Sequence, residues 1–141
     1  MKFYESGDNR KPVIFLFPGT CCLYSSFDHV LDGLHSYFYT VAVSYDGFVN
    51  MFGIDKGGSP WITKQSVYNQ FYSDLVTKVQ HGIDVPGTTI HVFYATKMGK
   101  KYEKRYCTYF KNPDIRRHNM QHEELFCCHS AEWVEEVRKA V

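Results

Sequence analysis

Several features that would define a function are scarce or missing in this chain of 141 residues. No apolar run approaches the roughly 20 residues that a membrane-spanning helix needs. The 16 basic and 15 acidic residues nearly cancel, leaving a net charge of +1, so the overall charge gives no attraction to nucleic acid or to an anionic membrane. The first ten residues are polar and charged, unlike a secretory signal peptide. We therefore expect neither a nucleic-acid partner nor a membrane partner.

The five cysteines include two adjacent pairs, Cys21–Cys22 and Cys127–Cys128. Neighbouring cysteines rarely bond to each other, because the disulfide between them is strained. An odd number of cysteines without a signal peptide is typical of a reducing compartment. The sequence therefore predicts free thiols and a cytoplasmic location.

Metal ligands are close together in one stretch only. Five side chains of the types that bind zinc lie within twelve residues: His118, His122, Cys127, Cys128 and His129. No two cysteines have the two-to-four-residue spacing of a structural zinc site, and adjacent cysteines do not easily ligate together. We expect no metal and no cofactor.

The N-terminal part has the pattern of a strand, a turn, a helix and a second strand. Val13–Phe17 is an unbroken apolar run, which predicts a strand buried on both faces. A turn at Pro18–Gly19 follows, and a helix is predicted from about Ser25–Ser26 to Tyr37. Its apolar residues recur at the spacing of one buried face: Phe27, Val30, Leu31 and Leu34. Tyr39–Ser44 reads as the second buried strand.

The rest of the chain predicts further elements around a glycine-rich interruption. Val49–Thr63 lacks periodicity and favours a loop. The other predicted elements are a short edge strand at Phe3–Glu5, a helix from about 64 to 80, a strand at Thr88–Ala95, a helix at Lys101–Phe110, a strand at Ile115–Met120 and a helix at Glu132–Ala140.

Strands that alternate with helices predict an α/β fold. We expect three layers, with a mainly parallel sheet of about four to five strands and helices on both faces. We further expect one domain over residues 1–141, built from a block at 1–48, a junction at 49–63 and a block at 64–141.

These motifs resemble those of the α/β-hydrolases. PGT follows one strand and SYDGF follows the next, and IHVFYATKMGKKY and QHEEL follow later in the expected order. The chain looks in particular like a group of small bacterial α/β-hydrolases of uncharacterised substrate. The resemblance implies a shortened α/β-hydrolase-like fold and a relation to serine esterases and acyl hydrolases.

The resemblance also implies roles for individual residues. The first oxyanion-hole N–H would belong to Thr20 or to Cys21. His122, after the last strand, would be the general base. Independently of the resemblance, Cys21 or Cys22, near the start of a helix, is a candidate nucleophile, because a helix N-terminus lowers the pKa of a thiol. The simpler interpretation is a small residue packed in a tight turn.

The G-x-S-x-G nucleophile motif of that family is absent between SYDGF and TTIHVFYA. The nearest string, GGSPW, contains Ser59, but no apolar strand precedes it. Pro60 would also remove an N–H that the oxyanion hole needs. We favour a loop serine here and keep Ser59 as a candidate nucleophile. The first carboxylate after Ala95 is Glu103, which we interpret as a helix-surface partner of Lys100 or Lys104.

Three functions follow from this pattern. The first is an α/β-hydrolase-like protein that is inactive or weakly active, because the central segment with the nucleophile is absent. The second is an active hydrolase of a small ester or acyl substrate, with Ser59 or Cys21 as nucleophile. The third is a non-enzymatic binding or assembly module in which the PGT turn holds a small anion. Without the nucleophile strand, the sequence predicts either a re-closed sheet or a homodimer, with or without exchanged elements.

Overall fold

The computed structural model describes residues 2–19, 22–44 and 64–141. The chain divides into two compact units, Met1–Thr77 and Lys78–Val141. The predicted loop at Val49–Thr63 lies outside the described residues. The single hydrolase-like domain expected over residues 1–141 stays a prediction.

The N-terminal unit contains one three-stranded sheet in the order β1-β3-β2. β1 runs antiparallel to β3, and β2 runs parallel to β3, with Phe15 opposite Val41. Its elements are β1 (Lys2–Ser6), β2 (Val13–Leu16), a 3₁₀ turn (Tyr24–Phe27), α1 (Asp28–His35), β3 (Tyr39–Ser44) and α2 (Lys64–Val76). The predicted strand–helix–strand unit is therefore confirmed.

The core of this unit lies between α1 and β3. Val30 and Leu34 of α1 are buried, and Phe27 is buried just before them, so the predicted apolar face is confirmed at these positions. Before α1, the Ser26 hydroxyl accepts a hydrogen bond from the Leu23 N–H at 3.3 Å. β3 is the central strand, and its residues from Thr40 to Ser44 are all buried.

The prediction that Val13–Phe17 is buried on both faces is wrong. Val13, Phe15 and Phe17 are each more than half exposed, whereas Leu16 is buried. The reason is position in the sheet: β2 is an outer strand, and one of its faces packs less than the other. An apolar run cannot distinguish a central strand from an edge strand, because strand order is set by distant partners.

The C-terminal unit contains a two-stranded parallel sheet with helices around it. Tyr94 of this sheet is buried, and its ring meets that of Tyr106 edge-on at 6.0 Å. The elements are β4 (His91–Ala95), a 3₁₀ turn (Thr96–Met98), α3 (Lys100–Tyr109), β5 (Asp114–His118), α4 (Glu124–Cys128) and α5 (Ser130–Ala140).

The expected fold, one mainly parallel sheet of four to five strands in three layers, is also wrong. The described strands form two small sheets, one mixed and one parallel. β1 pairs with the second edge of β3 in the antiparallel direction, so the described sheet is mixed, with β3 at its centre and β1 and β2 at its edges. The described strands do not re-close a single sheet either. Within the part of the chain that the structure describes, no helix is both long and apolar enough to cross a membrane.

Candidate functional site

The carboxyl ends of β4 and β5 lie side by side in the C-terminal unit. Parallel pairing places Ala95 opposite His118, the last residue of each strand. Just beyond them, the Lys97 N–H donates a hydrogen bond to the Met120 carbonyl at 3.2 Å. Open α/β structures bind their ligands at this end of parallel strands. The carboxyl ends of β4 and β5 are therefore the expected place for a binding site.

A pocket of about 200 Å³ opens at this end of the sheet. Its walls are mainly aromatic and thioether side chains, with a few polar groups among them. Phe126 and Trp133 form one wall, with their rings edge-on at 5.2 Å. The described lining residues are Phe93, Ala95, Met98, Tyr106, His118, Met120, Gln121, His122, Glu123, Leu125, Phe126 and Trp133.

His118 is the unusual polar residue of this pocket. Its Nε2 atom is buried, and it has no hydrogen-bond partner in the described part of the chain. The ring of Phe93 meets the His118 ring edge-on at 6.1 Å, which cannot replace a hydrogen bond. A buried polar atom without a partner costs about 1–3 kcal/mol. A ligand that offers a hydrogen bond at this point would recover that cost.

A network of charged groups holds β5 against α5 and so fixes where His118 lies. Arg116 donates hydrogen bonds to the Glu136 carbonyl at 3.1 Å and to Asp114 at 3.1 Å. His91 contacts the same Asp114 carboxylate at 2.8 Å. Asp114, Arg116 and His118 alternate along the strand and therefore share a face.

The electrostatics of this network follow from its contacts. The hydrogen bonds from His91 and Arg116 hold the pKa of Asp114 below its ordinary value. Burial acts to raise the pKa of Glu136, but hydrogen bonds from Lys139 and Arg116 outweigh it and lower that pKa. Both carboxylates therefore stay charged to lower pH than free carboxylates, and Glu136 joins α5 to Arg116 of β5.

His122, the predicted general base, lies in the wall of the pocket on the solvent side. Its side chain is 70% exposed, and its Nε2 atom is 3.6 Å from a carboxylate oxygen of Glu123. That distance is too long for a hydrogen bond. Glu123 has a left-handed backbone, with φ of 60°, which is uncommon for a residue other than glycine. Among the described residues, His122 therefore lines the pocket without a hydrogen-bond partner that fixes its ring.

The structure does not test the roles predicted for the other candidate site residues. Thr20, Cys21 and Ser59 lie outside the described residues. Glu103 pairs with Arg117, whose Nε donates to it at 3.0 Å, so the predicted partners Lys100 and Lys104 are wrong. The pairing of β5 with β4 places Arg117 next to Glu103 of α3. The spacing of charged residues within α3 does not indicate this contact.

Two further clusters of titratable or nucleophilic side chains lie outside this arrangement or were expected near it from the sequence. Among the described residues, no three His, Cys, Asp or Glu side chains come together as metal ligands, so the histidines and cysteines at 118–129 do not form the alternative zinc site there.

The second cluster is a serine–histidine contact that the sequence does not indicate, because its members are distant in the chain. The Ser6 hydroxyl lies 2.9 Å from His35 Nε2 and 2.7 Å from the Thr40 hydroxyl. Thr40 is fully buried and also donates to the Ser6 carbonyl at 3.1 Å. A nucleophile and its base have such a contact, but they also need a third group that orients the base. Among the described residues no carboxylate bonds to the His35 ring, so we interpret the cluster as structural.

Comparison of the chain with protein-family models, curated proteins and solved structures found no match. The resemblance to α/β-hydrolases therefore rests on the sequence motifs and stays a prediction.

Proposed function

We propose that this chain is a hydrolase-like protein that binds a small aromatic or apolar molecule instead of hydrolysing an ester. The binding site is the pocket at the carboxyl ends of β4 and β5. The observation that carries the proposal is the buried Nε2 of His118, which lacks a hydrogen-bond partner among the described residues and lies in a pocket with aromatic walls. None of the described lining residues is a serine, threonine or cysteine, so the described pocket supplies a binding surface and no nucleophile.

The size and chemistry of the pocket define the ligand class. A volume of about 200 Å³ is below the 300–1,000 Å³ that is usual for drug-sized ligands. It suits a single ring that can pack against Phe126 and Trp133. A neutral histidine has one donor and one acceptor nitrogen, and a hydroxyl group can pair with either. A phenol-like molecule therefore satisfies both the walls and His118.

The test compares phenol with toluene, which has the same ring without a hydroxyl. Each is titrated into the full chain, and binding is followed by NMR through the indole N–H signal of Trp133, assigned with Trp133→Phe. In His118→Leu, the preference for phenol over toluene should fall roughly tenfold, the value of a hydrogen bond to a buried group. The His122→Leu variant is the matched control and should keep the preference. Equal preference in all three proteins, or no binding of either probe, would overturn the proposal.

The second candidate is an esterase-like hydrolase of a small ester or acyl substrate. The specific observation in its favour is that His122 lines the pocket beside Glu123. Its nucleophile would be Ser59 or Cys21, with an oxyanion N–H at Thr20 or Cys21. Labelling with a fluorophosphonate, followed by mass spectrometry, decides between the two candidates. We expect no adduct on the folded chain; an adduct on Ser59 or Cys21 that is lost in His122→Ala would establish the hydrolase instead.

We further propose a cytoplasmic location, without nucleic-acid or membrane partners. Cys22, Cys107 and Cys128 are free thiols, as is usual in a reducing compartment. The net charge of +1 supports the absence of a strongly anionic partner.

A further inference from the structure

Helix α2 presents an apolar stripe to solvent. Tyr68, Phe71, Tyr72 and Leu75 follow the i, i+3, i+4, i+7 spacing that places side chains on one face. Each is more than half exposed, and Leu75 is 83% exposed. The rings of Tyr68 and Tyr72 stack at 6.1 Å. We call these four residues the α2 stripe. A face of this kind normally packs against a core.

The outer strand of the N-terminal sheet presents a second apolar surface. Val13 and Phe15 alternate on one face of β2, and Phe17 follows directly after the strand. All three are more than half exposed, and the rings of Phe15 and Phe17 lie 6.4 Å apart. No other described strand pairs with the outer edge of β2. We call these three residues the β2 surface.

We propose that the α2 stripe of one copy packs on the β2 surface of a second copy, and reciprocally, to form a symmetric homodimer. A helix packed on a strand surface is the basic contact of α/β proteins. The seven residues include no charged side chain, so burying them leaves no unpaired charge. A two-fold axis repeats the contact, and both surfaces of each copy are covered at once.

The area that this contact can bury reaches the lower limit for a specific interface. Five of the seven residues are aromatic and about half exposed. Since a buried aromatic side chain covers about 150–250 Å², they supply roughly 500 Å² per copy. The reciprocal contact therefore buries about 1,000 Å² from aromatic rings alone, which is near the lower limit of specific interfaces. Val13 and Leu75 add to it. Either surface alone would fall short, so the area favours the reciprocal arrangement.

The oligomeric state is the first test. Size-exclusion chromatography with light scattering, from about 1 to 100 μM, should give twice the chain mass of 16.5 kDa. Phe71→Glu places a charge in the α2 stripe and should weaken the dimer at least about 30-fold, as the loss of a central interface residue does. Ser73→Glu adds the same charge on the opposite face of the exposed helix and should leave the dimer intact. A monomer for the unmodified chain, or equal effects of the two variants, would overturn the proposal.

The second test identifies which surfaces meet. Phe15→Cys chains are mixed with Leu75→Cys chains and oxidised mildly, and tandem mass spectrometry of the linked peptides identifies the residues. The proposal predicts an interchain disulfide between positions 15 and 75. Links only between two copies of position 75 would indicate a helix–helix dimer and would contradict the proposed pairing. No 15–75 link in a chain that is dimeric by light scattering would contradict it as well.

Discussion

Replacing His118 by leucine should make the C-terminal unit more stable. The buried Nε2 atom lacks a hydrogen-bond partner among the described residues, and such an atom costs about 1–3 kcal/mol. Leucine removes this cost. The change of shape opposes the gain by up to about 1.5 kcal/mol, the upper range for conservative hydrophobic replacements in a packed site. We expect a net stabilisation of about 1 kcal/mol, together with the roughly tenfold fall in the preference for phenol over toluene.

Urea unfolding measures this change directly. In a Trp61→Phe background, the remaining tryptophan, Trp133, reports on the C-terminal unit through its fluorescence. With a slope of about 1–2 kcal/mol per M, the midpoint should rise by roughly 0.5–1 M. His122→Leu is the matched control: its side chain is 70% exposed, so its midpoint should barely move. If His118→Leu instead lowers the urea midpoint by roughly 0.5–1 M, the His118 side chain has a stabilising partner and the reasoning is refuted.

Two further predictions concern the core and the charged network. Leu34→Ala removes a fully buried side chain and should destabilise the N-terminal unit by about 2–5 kcal/mol. Circular dichroism during urea unfolding measures this change. The control, Leu75→Ala, is at an exposed position and should have almost no effect on the free energy of unfolding. Asp114→Asn should destabilise the C-terminal unit at pH 7, because His91 and Arg116 stabilise the carboxylate and lower its pKa from 3.8. A carboxylate whose pKa is lower in the folded than in the unfolded state stabilises the fold at pH values above its unfolded-state pKa. This stabilisation is lost as the pH falls through the folded-state pKa. The difference in urea midpoint between this variant and the unmodified chain should therefore shrink below about pH 3.8; a difference that does not change with pH would show that charge is not the cause.

Local pattern was enough to predict the elements whose partners are close in the chain. The apolar spacing of Val30 and Leu34 placed α1 with its buried face correctly, and Tyr39–Ser44 is a buried strand as expected. These elements form one strand–helix–strand unit, so short-range information determines them. The same reasoning was wrong for β2, because burial of Phe15 depends on which distant element packs on its face of this edge strand.

The candidate site was harder to predict because pairing between distant residues creates it. Parallel register places His118 opposite Ala95, and a helix beyond the strand supplies Trp133 to the pocket wall. From the sequence, His118 was only one histidine in a possible set of zinc ligands. Nothing local indicates that its Nε2 is buried without a partner. The sequence feature that indicates this site is the position of His118 at the end of a strand, four residues before His122.

The most direct test of the proposed function observes the unpaired nitrogen itself. In protein labelled with ¹⁵N-histidine, the Nε2 resonance of His118 is assigned with His118→Leu and followed during addition of phenol or of toluene. The proposal predicts that phenol shifts this resonance and that toluene, which cannot form a hydrogen bond, shifts it far less. An Nε2 signal from His118 that both probes leave unchanged would contradict the assignment of this pocket as the binding site.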